Sequence, residues 1–469
     1  MEGTFLAVVD ADRIQDYIFA PRQLKLIRGA SAILLDINFS HSFQLLREYG
    51  SGNLDEHGEV TEARLDQNPL QRWEIVYAGG GNVYVLFREE DSAKKFAVAA
   101  CSLYRKHGVS ASATAAYVPW GQSFRATLES AQEAVMIRKS SAATPAQTFS
   151  NPYWKICEAC GGAPAAHWSR NPVTGISILC AACKVRRSHG QRALYLDEVS
   201  PGLRPPPDFE IMAAQARPEN YLALVYIDID RLGRFFEEIH PLAPEDYRKH
   251  SMHIRDTIKK GVIAGCQSAC ATTPVDSCAP FEIILLGGDD AILMLVAQAV
   301  RPFLRSFREI FQERLPNLTF SAGVVWAHHH LPIAQYTYHA KDLLCSAKAG
   351  GGGRIDYLVV SESMVRGRDK GSRRTMRPYS FEDFDNLFKT IAALKRQGFP
   401  SNKAHQLYAM AFAEESQGAL DYLCWFSRLE PSHRSTVCRF FPQGLWQEHP
   451  RRATGAADLA ELWDFVEAE

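Results

Sequence analysis

The fold is decided by two segments: 221–230, YLALVYIDID, and 281–296, FEIILLGGDDAILMLV. The first is a continuous apolar run that ends in Asp-Ile-Asp, which predicts a buried strand with carboxylates at its end. The second consists of two apolar runs joined by Gly-Gly-Asp-Asp, which predicts a hairpin. In a split βαβ unit the first strand and the hairpin are central neighbours. We therefore expect Asp228, Asp289 and Asp290 to meet at one end of a sheet.

Carboxylates grouped in this way favour Mg²⁺ or Mn²⁺, which take hard oxygen ligands and complete their coordination with waters and substrate phosphates. Two such ions, about 4 Å apart, could activate a 3′-hydroxyl and neutralise a leaving pyrophosphate. Gly287 and Gly288 are expected to permit positive φ in the turn and to let a phosphate or ribose approach the backbone. A purely structural turn stays open, because Gly-Gly followed by Asp is also ordinary turn sequence.

The same layout occurs twice along the chain. Residues 4–9, TFLAVV, predict a strand that ends in Asp10, and residues 74–87, EIVYAGGGNVYVLF, predict a hairpin with a glycine-rich tip. Each hairpin is followed by a helical pattern and a further strand, near 113–118 in the first copy and at 318–327 in the second. This β-α-β-β-α-β order predicts an α+β fold with two ferredoxin-like domains produced by internal duplication.

The two copies are separated by a segment rich in Cys, Gly and Pro, and the pattern becomes helical from about residue 378. We therefore predict two ferredoxin-like domains, a zinc-binding insertion between them and a C-terminal helical bundle. The predicted bounds are 1–149, 150–215, 216–370 and 371–469.

A basic and glycine-rich segment follows the second copy. Lys348 lies near the end of a predicted helix, and Arg354 follows the run Gly350–Gly353. These two cations could neutralise a triphosphate. The alternative is a C-capped helix whose last turn is basic because the helix dipole favours it.

Four of the 11 cysteines form a metal-binding pattern. Cys157 and Cys160 are followed, after nineteen residues, by Cys180 and Cys183. Four thiolates at this spacing suit a closed tetrahedral Zn²⁺ site, to which we assign folding and not catalysis. Cys266, Cys270 and Cys278 have poor spacing for a complete site and are predicted to be incidental thiols in a loop.

Composition excludes several classes of protein. The 469 residues carry a formal net charge of −1 and are 46% hydrophobic, which argues against a uniformly basic nucleic-acid coat and a disordered acidic tail. The sequence has neither an apolar run of about 18 residues nor a signal peptide, so we expect a soluble cytoplasmic protein without membrane contact. One local basic stretch could contact RNA backbone or an acidic partner surface, or serve as a solvated linker. It consists of Arg366, Arg368, Lys370, Arg373, Arg374 and Arg377.

These motifs resemble the large subunit of CRISPR type III effectors, the Cas-ten family, and more distantly the GGDEF diguanylate cyclases. The resemblance to that family's second Palm domain rests on YIDIDRLG (226–233), GGDD (287–290), FSAGV (320–324), HHHLPI (328–333) and SAKAGGGGRID (346–356). The resemblance to its degenerate first Palm rests on VVDADRIQDYIF (8–19), LIRGASAILL (26–35) and YAGGGNVYVLF (77–87). The resemblance therefore extends over nearly the whole chain.

The resemblance implies a cyclase of antiviral defence that converts ATP to cyclic oligoadenylate when the effector complex binds target RNA. It implies that Asp228, Asp289 and Asp290 hold two Mg²⁺ or Mn²⁺ ions, assisted by the carbonyl of Ile229. It also implies other effector subunits, guide RNA and target RNA as partners. The first copy keeps Asp10 but lacks acids at its hairpin tip, so we expect no two-metal site there.

Two departures from the family pattern bear on function. The sequence starts directly with the first Palm and contains no adjacent His-Asp pair, so we expect no DNase activity. The run His328–His330 stands where the family usually has a single basic residue, and it could be surface loop or bind a metal ion. Two other functions stay open: a standalone cyclase that makes another cyclic dinucleotide, and a non-catalytic scaffold subunit of an RNA-guided complex.

Overall fold

The computed structural model describes residues 3–141, 153–171, 175–273, 278–360, 375–412, 415–440 and 454–467. Most of the basic stretch, from Arg366 to Arg374, lies outside the described residues.

The first sheet has four strands in the order β2-β3-β1-β4, and all neighbours are antiparallel. The strands are β1 (Phe5–Asp12), β2 (Trp73–Gly79), β3 (Asn82–Phe87) and β4 (Ser112–Pro119). The helices of this part are α1 (Ile14–Phe19), α2 (Leu24–Asp36), α3 (Ser42–Arg47), α4 (Glu90–Gly108) and α5 (Phe124–Ser141). A π-helical turn, Ile37–His41, joins α2 to α3.

The cysteine-bearing segment forms a small module that packs on α2. Its elements are an antiparallel hairpin, β5 (His167–Asn171) and β6 (Gly175–Leu179), followed by α6 (Ala181–His189), α7 (Leu196–Val199) and α8 (Phe209–Ala213). The contact between α2 and α6 is very close, because a Cβ on Gly29 would lie 1.8 Å from the carbonyl oxygen of Arg186. The module is therefore fixed against the first sheet's helix layer.

The second sheet has six strands in the order β12-β11-β10-β7-β9-β8. The strands are β7 (Tyr221–Ile229), β8 (Phe281–Leu286), β9 (Asp290–Val296), β10 (Phe320–His328), β11 (Arg354–Val360) and β12 (Tyr379–Ser380). The pair β10–β11 is parallel and the other pairs are antiparallel. The four strands β10-β7-β9-β8 thus repeat the strand order of the first sheet.

Four helices accompany the second sheet: α9 (Leu232–Glu238), α10 (Pro244–Thr272), α11 (Val300–Arg314) and α12 (Ile333–Ala349). Cys266 and Cys270 lie on α10, so the prediction that they belong to a loop is wrong. The long helix continues through them because Cys266 is fully buried against the core and the surrounding small residues are compatible with a helix.

The C-terminal helices are α13 (Phe381–Arg396), α14 (Ser401–Phe412), α15 (Glu415–Ser427), α16 (Pro431–Phe440) and α17 (Ala456–Leu462). They join the second sheet through Asp458, which is fully buried and accepts hydrogen bonds from Tyr357 Oη at 2.9 Å and Tyr379 Oη at 2.7 Å. Arg377 Nε pairs with the same carboxylate at 2.8 Å. Arg377 is therefore part of a buried network and not of a solvated basic surface.

The two sheets are joined by one continuous apolar core, which also reaches the C-terminal helices. Two buried ion pairs cross between the two halves: Arg28 with Glu282, and Glu74 with Arg248. Removing one partner would leave an uncompensated buried charge, which is strongly unfavourable. These pairs therefore fix the relative position of the two sheets.

Candidate active site

Three carboxylates lie together at one edge of the second sheet. Asp228, near the end of β7, and Asp290, the first residue of β9, are direct partners across the antiparallel ladder. The backbone N–H of Ile229 donates to the carbonyl oxygen of Asp289 at 3.3 Å, which places the hairpin tip against the end of β7. The structure thus places Asp228 and Asp290 side by side and Asp289 next to them. Among the described residues, however, the carboxylate oxygens of these three acids do not all lie within 4.8 Å of one another, as the sulfurs of the cysteine group do.

The electrostatics of this group favour cation binding. Burial raises the pKa of Asp228 and that of Asp289. Burial, together with the neighbouring charges of Asp289 and Asp228, raises the pKa of Asp290 to about 7. Each carboxylate is therefore costly to ionise in the free protein, and a bound cation would remove that cost.

The ammonium group of Lys348 contacts two oxygens that the family resemblance assigns to a metal ion. Lys348, at the end of α12, pairs with the carboxylate of Asp228, and its Nζ lies 3.2 Å from the carbonyl oxygen of Ile229. The oxygen donors fit Mg²⁺ or Mn²⁺, and a cation already stands against them.

Gly287 and Gly288 are required for space and not for backbone conformation. Neither residue has a positive φ, so the expectation of a left-handed turn is wrong. A Cβ on Gly287 would lie 2.0 Å from Oδ1 of Asp290, and one on Gly288 would lie 2.0 Å from the hydroxyl of Tyr77. A larger residue at either position would therefore require the Asp290 or the Tyr77 side chain to move.

Asp230 has a different role from its neighbours. It is 5% exposed and accepts hydrogen bonds from Thr319 Oγ1 at 2.8 Å and Ser321 Oγ at 2.7 Å. It also accepts from the backbone N–H of Gly353 at 2.7 Å. Asp230 thus holds the glycine turn that follows α12. Sequence reasoning assigned it no separate role, although the hydroxyl residues at the start of β10 were a signal.

The glycine turn itself has three residues in the left-handed region, Gly351, Gly352 and Gly353, with φ of 114°, 81° and 63°. Only glycine adopts such a run without strain. Arg354, which follows, donates from Nη1 to the carbonyl oxygen of Pro378 at 3.0 Å. This contact directs its guanidinium toward β12.

The first sheet contributes side chains to the same site. Gln15, on α1, donates from Nε2 to Tyr226 Oη at 2.7 Å, and Tyr226 in turn lies 3.4 Å from Oδ2 of Asp290. The two hairpin tips face each other, because a Cβ on Gly80 would lie 3.2 Å from the backbone nitrogen of Gly288. Sequence reasoning missed these contacts, although Gln15 lies within the quoted IQDYIF motif.

A cavity of about 820 Å³ adjoins the two tips. Its lining includes Gly80 and Gly287 of the tips, Ser31 and Asn38 of the α2 region, and Lys259 of α10. The volume lies within the range of small-molecule sites, which is about 300–1,000 Å³. Polar groups from both halves therefore surround a space large enough for a nucleotide.

The four cysteines of the inserted module converge. The sulfur atoms of Cys157, Cys160, Cys180 and Cys183 all lie within 4.8 Å of one another. Hydrogen bonding from Cys183, through its thiol and its backbone N–H, lowers the pKa of Cys180 to about 5 against the effect of burial. A thiolate at the start of α6 and three neighbouring sulfurs form a donor set that suits zinc.

Within the part of the chain that the structure describes, helices that combine the length and apolar character of a membrane span are absent.

The comparisons with known proteins agree with this geometry. Residues 221–355 match the family model of the Cas10/Cmr2 second palm domain. The fold is similar to Csm1 in T. onnurineus, with a TM-score of 0.62 and 16% identity, covering 100% of this chain and 70% of that one. It is also similar to a Csm1-Csm4 cassette in complex with cA3 (TM-score 0.62, 16% identity, 99% and 70% covered). A Csm1-Csm4 cassette in complex with AMPPNP is similar with a TM-score of 0.60 and 15% identity, covering 99% of this chain and 70% of that one. At such identities the likeness shows the fold alone. A comparison with curated proteins gives no match.

Proposed function

Since residues 221–355 are a second palm domain of the Cas10/Cmr2 family, we propose that the chain is a nucleotidyl cyclase that converts ATP to cyclic oligoadenylate. The observation that carries the proposal is that Asp228, Asp289 and Asp290 lie at the hairpin tip whose Gly287 lines a cavity of about 820 Å³. Support comes from the similar structures, whose ligands are cA3 and AMPPNP.

In this proposal Asp228 and Asp289 hold two Mg²⁺ or Mn²⁺ ions with the carbonyl of Ile229, and Asp290 assists. When bound, the ions supply activation of a 3′-hydroxyl and neutralisation of the leaving pyrophosphate. Asp290 first loses its proton, because its pKa of about 7 keeps much of the free carboxyl protonated at neutral pH. Gly287 and Gly288 leave the backbone open to substrate.

Lys348 has two positions in this proposal. In the free protein its ammonium group neutralises Asp228. A cation held by Asp228 would displace the ammonium group of Lys348, which could then contact a substrate phosphate. Lys348 thereby reaches the α-phosphate, where negative charge develops during the reaction. We also propose that Arg354 contacts a substrate phosphate, which would require the loss of its hydrogen bond to the carbonyl oxygen of Pro378.

We also propose the finer division of the chain. Each four-stranded arrangement with its helices is a ferredoxin-like Palm, and the bounds are 1–149, 150–215, 216–370 and 371–469. The last region is a helical bundle, which also contains β12, the strand that extends the second sheet.

The inserted module binds Zn²⁺ through Cys157, Cys160, Cys180 and Cys183 in a closed site that serves folding. Metal analysis by mass spectrometry should give one zinc per chain and none in Cys157→Ser/Cys160→Ser. The matched control replaces the exposed Cys424 and Cys438 by serine and should keep its zinc. Equal zinc contents in the two variants would contradict this assignment.

We propose the partners from the similar structures, which are cassettes with Csm4 in a type III-A complex. In this chain the partners are further effector subunits, guide RNA and target RNA, and target RNA binding switches on the cyclase.

The experiment combines purified protein with each nucleoside triphosphate and Mg²⁺ or Mn²⁺, with and without effector subunits, guide RNA and target RNA. Products are identified by mass spectrometry. We expect cyclic oligoadenylate from ATP, dependent on the divalent ion and on target RNA. Absence of any phosphodiester product under every condition would refute the cyclase, and a product from another nucleotide would refute the substrate.

A further inference from the structure

The histidine run 328–330 is a further group of possible metal ligands, and it lies far from the carboxylates. His328 is the last residue of β10 and pairs with Tyr221 at the start of β7, whereas Asp228 pairs with Ser321. The two positions are seven residues apart along β7, which corresponds to about 23 Å at the usual rise of a strand. The histidine run therefore lies at the opposite end of the second sheet.

The three imidazole rings of the run are in contact. Their centroids are 4.5 Å apart for His328 and His329, 4.1 Å for His329 and His330, and 4.8 Å for His328 and His330. One nitrogen from each ring lies within 4.8 Å of the others. Three protonated rings at this spacing would repel one another, so the arrangement suits neutral imidazoles around a cation.

One ring nitrogen of His329 has no hydrogen-bond partner. Nε2 is buried and without a partner among the described residues, whereas Nδ1 lies 3.4 Å from the carbonyl oxygen of Asn220. In the tautomer that donates from Nδ1 to this carbonyl, the lone pair is on Nε2. A ligating histidine usually donates its other N–H to a carbonyl or carboxylate in this way.

The turn that presents the histidines is fixed by the fold. The backbone N–H of His329 donates to Asn220 O at 2.9 Å, and the carbonyl of His328 accepts from Leu331 N at 2.9 Å. The same carbonyl accepts from Tyr336 Oη, on α12, at 3.2 Å. The ligands are therefore held by β7 and α12 and not merely by their adjacency in sequence.

We propose that His328, His329 and His330 bind a divalent transition metal ion, at a site separate from both the carboxylates and the four cysteines. Imidazole nitrogens suit Zn²⁺, Co²⁺, Ni²⁺ and Cu²⁺, whereas Mg²⁺ prefers oxygen. Three protein ligands leave at least one coordination position open to water or to a further ligand.

The test uses full-length protein whose cysteine cluster is saturated with zinc, titrated with Co²⁺ in excess Mg²⁺ and followed by d–d absorption. We expect one Co²⁺ per chain, without the charge-transfer band of thiolate ligation. Replacing the three histidines by glutamine should weaken binding by at least about tenfold. The matched control, His57→Gln, removes a histidine that is 78% exposed and should bind like the wild type.

Two further measurements keep the proposal falsifiable. Circular dichroism checks that the glutamine variant folds, and His329→Gln alone, which preserves the other two rings, should also lower the affinity. A synthetic peptide of residues 324–334 contains the same run without the fold and should bind more weakly than the protein. Co²⁺ affinity that is equal in the variant, or equal in the peptide, would overturn the proposal.

Discussion

The corresponding ends of the two sheets have the same strand pairing but carry different side chains. In the first sheet Asp10 pairs across the ladder with Asn82, in the same register in which Asp228 pairs with Asp290 in the second. Each first-strand acid also has a lysine from the helix that follows the fourth strand. Lys139 Nζ lies 2.9 Å from Asp10, and Lys348 contacts Asp228.

The difference lies at the hairpin tip. In the first sheet Lys139 also lies 3.3 Å from Asp12, so one ammonium serves two carboxylates and the hairpin adds none. In the second sheet Lys348 faces the acid of β7 together with Asp289 and Asp290. The first sheet therefore has two carboxylates for one ammonium group, whereas the second has three, and the two additional tip acids are what the second sheet could offer to metal ions.

The largest expected effect is on catalysis. Asp289→Asn/Asp290→Asn should lower cyclic oligoadenylate formation by at least about 100-fold, because metal ligands are lost while the shape of the tip is kept. Asp10→Asn is the matched control and should leave the rate unchanged. Product is measured by liquid chromatography. Equal losses in both variants would mean that the two edges are chemically alike.

The second prediction concerns how stability depends on pH when the second hairpin tip is made to resemble the first. Because the pKa of Asp290 is raised to about 7, the metal-free folded chain keeps a proton that the unfolded chain releases above about pH 4. The free energy of unfolding of the wild type therefore falls as the pH rises from about 4 to about 7.

Asp290→Asn, which copies Asn82 of the first sheet, should remove the part of this pH dependence that Asp290 causes. In chelator the variant should exceed the wild type by about 4 kcal/mol in free energy of unfolding at pH 8, and match it near pH 4. Chemical denaturation at the two pH values measures the difference. An advantage of the variant that does not change with pH would contradict the assignment.

The third prediction concerns the contact between the tips. Gly288→Ala places a methyl group on the Tyr77 hydroxyl and should lower activity about tenfold, which corresponds to the cost of moderate overpacking. Tyr77→Phe removes the obstructing oxygen, so the double variant should recover most of the activity. If the double variant is no more active than Gly288→Ala alone, contact with substrate and not with Tyr77 requires the glycine.

The smallest effect is expected from the lysines. Lys348→Met should raise the affinity for Mn²⁺ about threefold in the absence of nucleotide, because a partly exposed ion pair that competes with the metal is worth about 1 kcal/mol at most. Lys139→Met should leave it unchanged. Mn²⁺ binding is followed by electron paramagnetic resonance. Weaker binding in Lys348→Met would show that the lysine supports the metal and does not replace it.

Local patterns were sufficient to place the carboxylates. Asp228, Asp289 and Asp290 follow or open apolar runs, and the ladder then determines that they meet. The cysteine spacing likewise predicted convergence of the four sulfurs. These predictions succeeded because strand ends and short knuckles are decided by residues close in sequence.

Contacts between distant segments could not be predicted. The reason for a glycine at 288 is the hydroxyl of Tyr77, which lies more than 200 residues away in the chain. Asp230 was not distinguished from its neighbours, because its hydroxyl partners come from another strand. Cys266 and Cys270 were assigned to a loop because their spacing is poor for a metal site, whereas both lie in α10, where Cys266 is buried.

The close approach of the two hairpin tips limits which side chains the two tips can carry. Gly80 and Gly288 are near enough that a Cβ on the first would lie 3.2 Å from the second. Had both tips kept Asp-Asp, four carboxylates would crowd one cleft, and each pair at about 4 Å would cost roughly 1 to 4 kcal/mol. Acids at both tips would therefore oppose the close approach of the two sheets, and the first sheet avoids this repulsion because its tip carries Gly81 and Asn82.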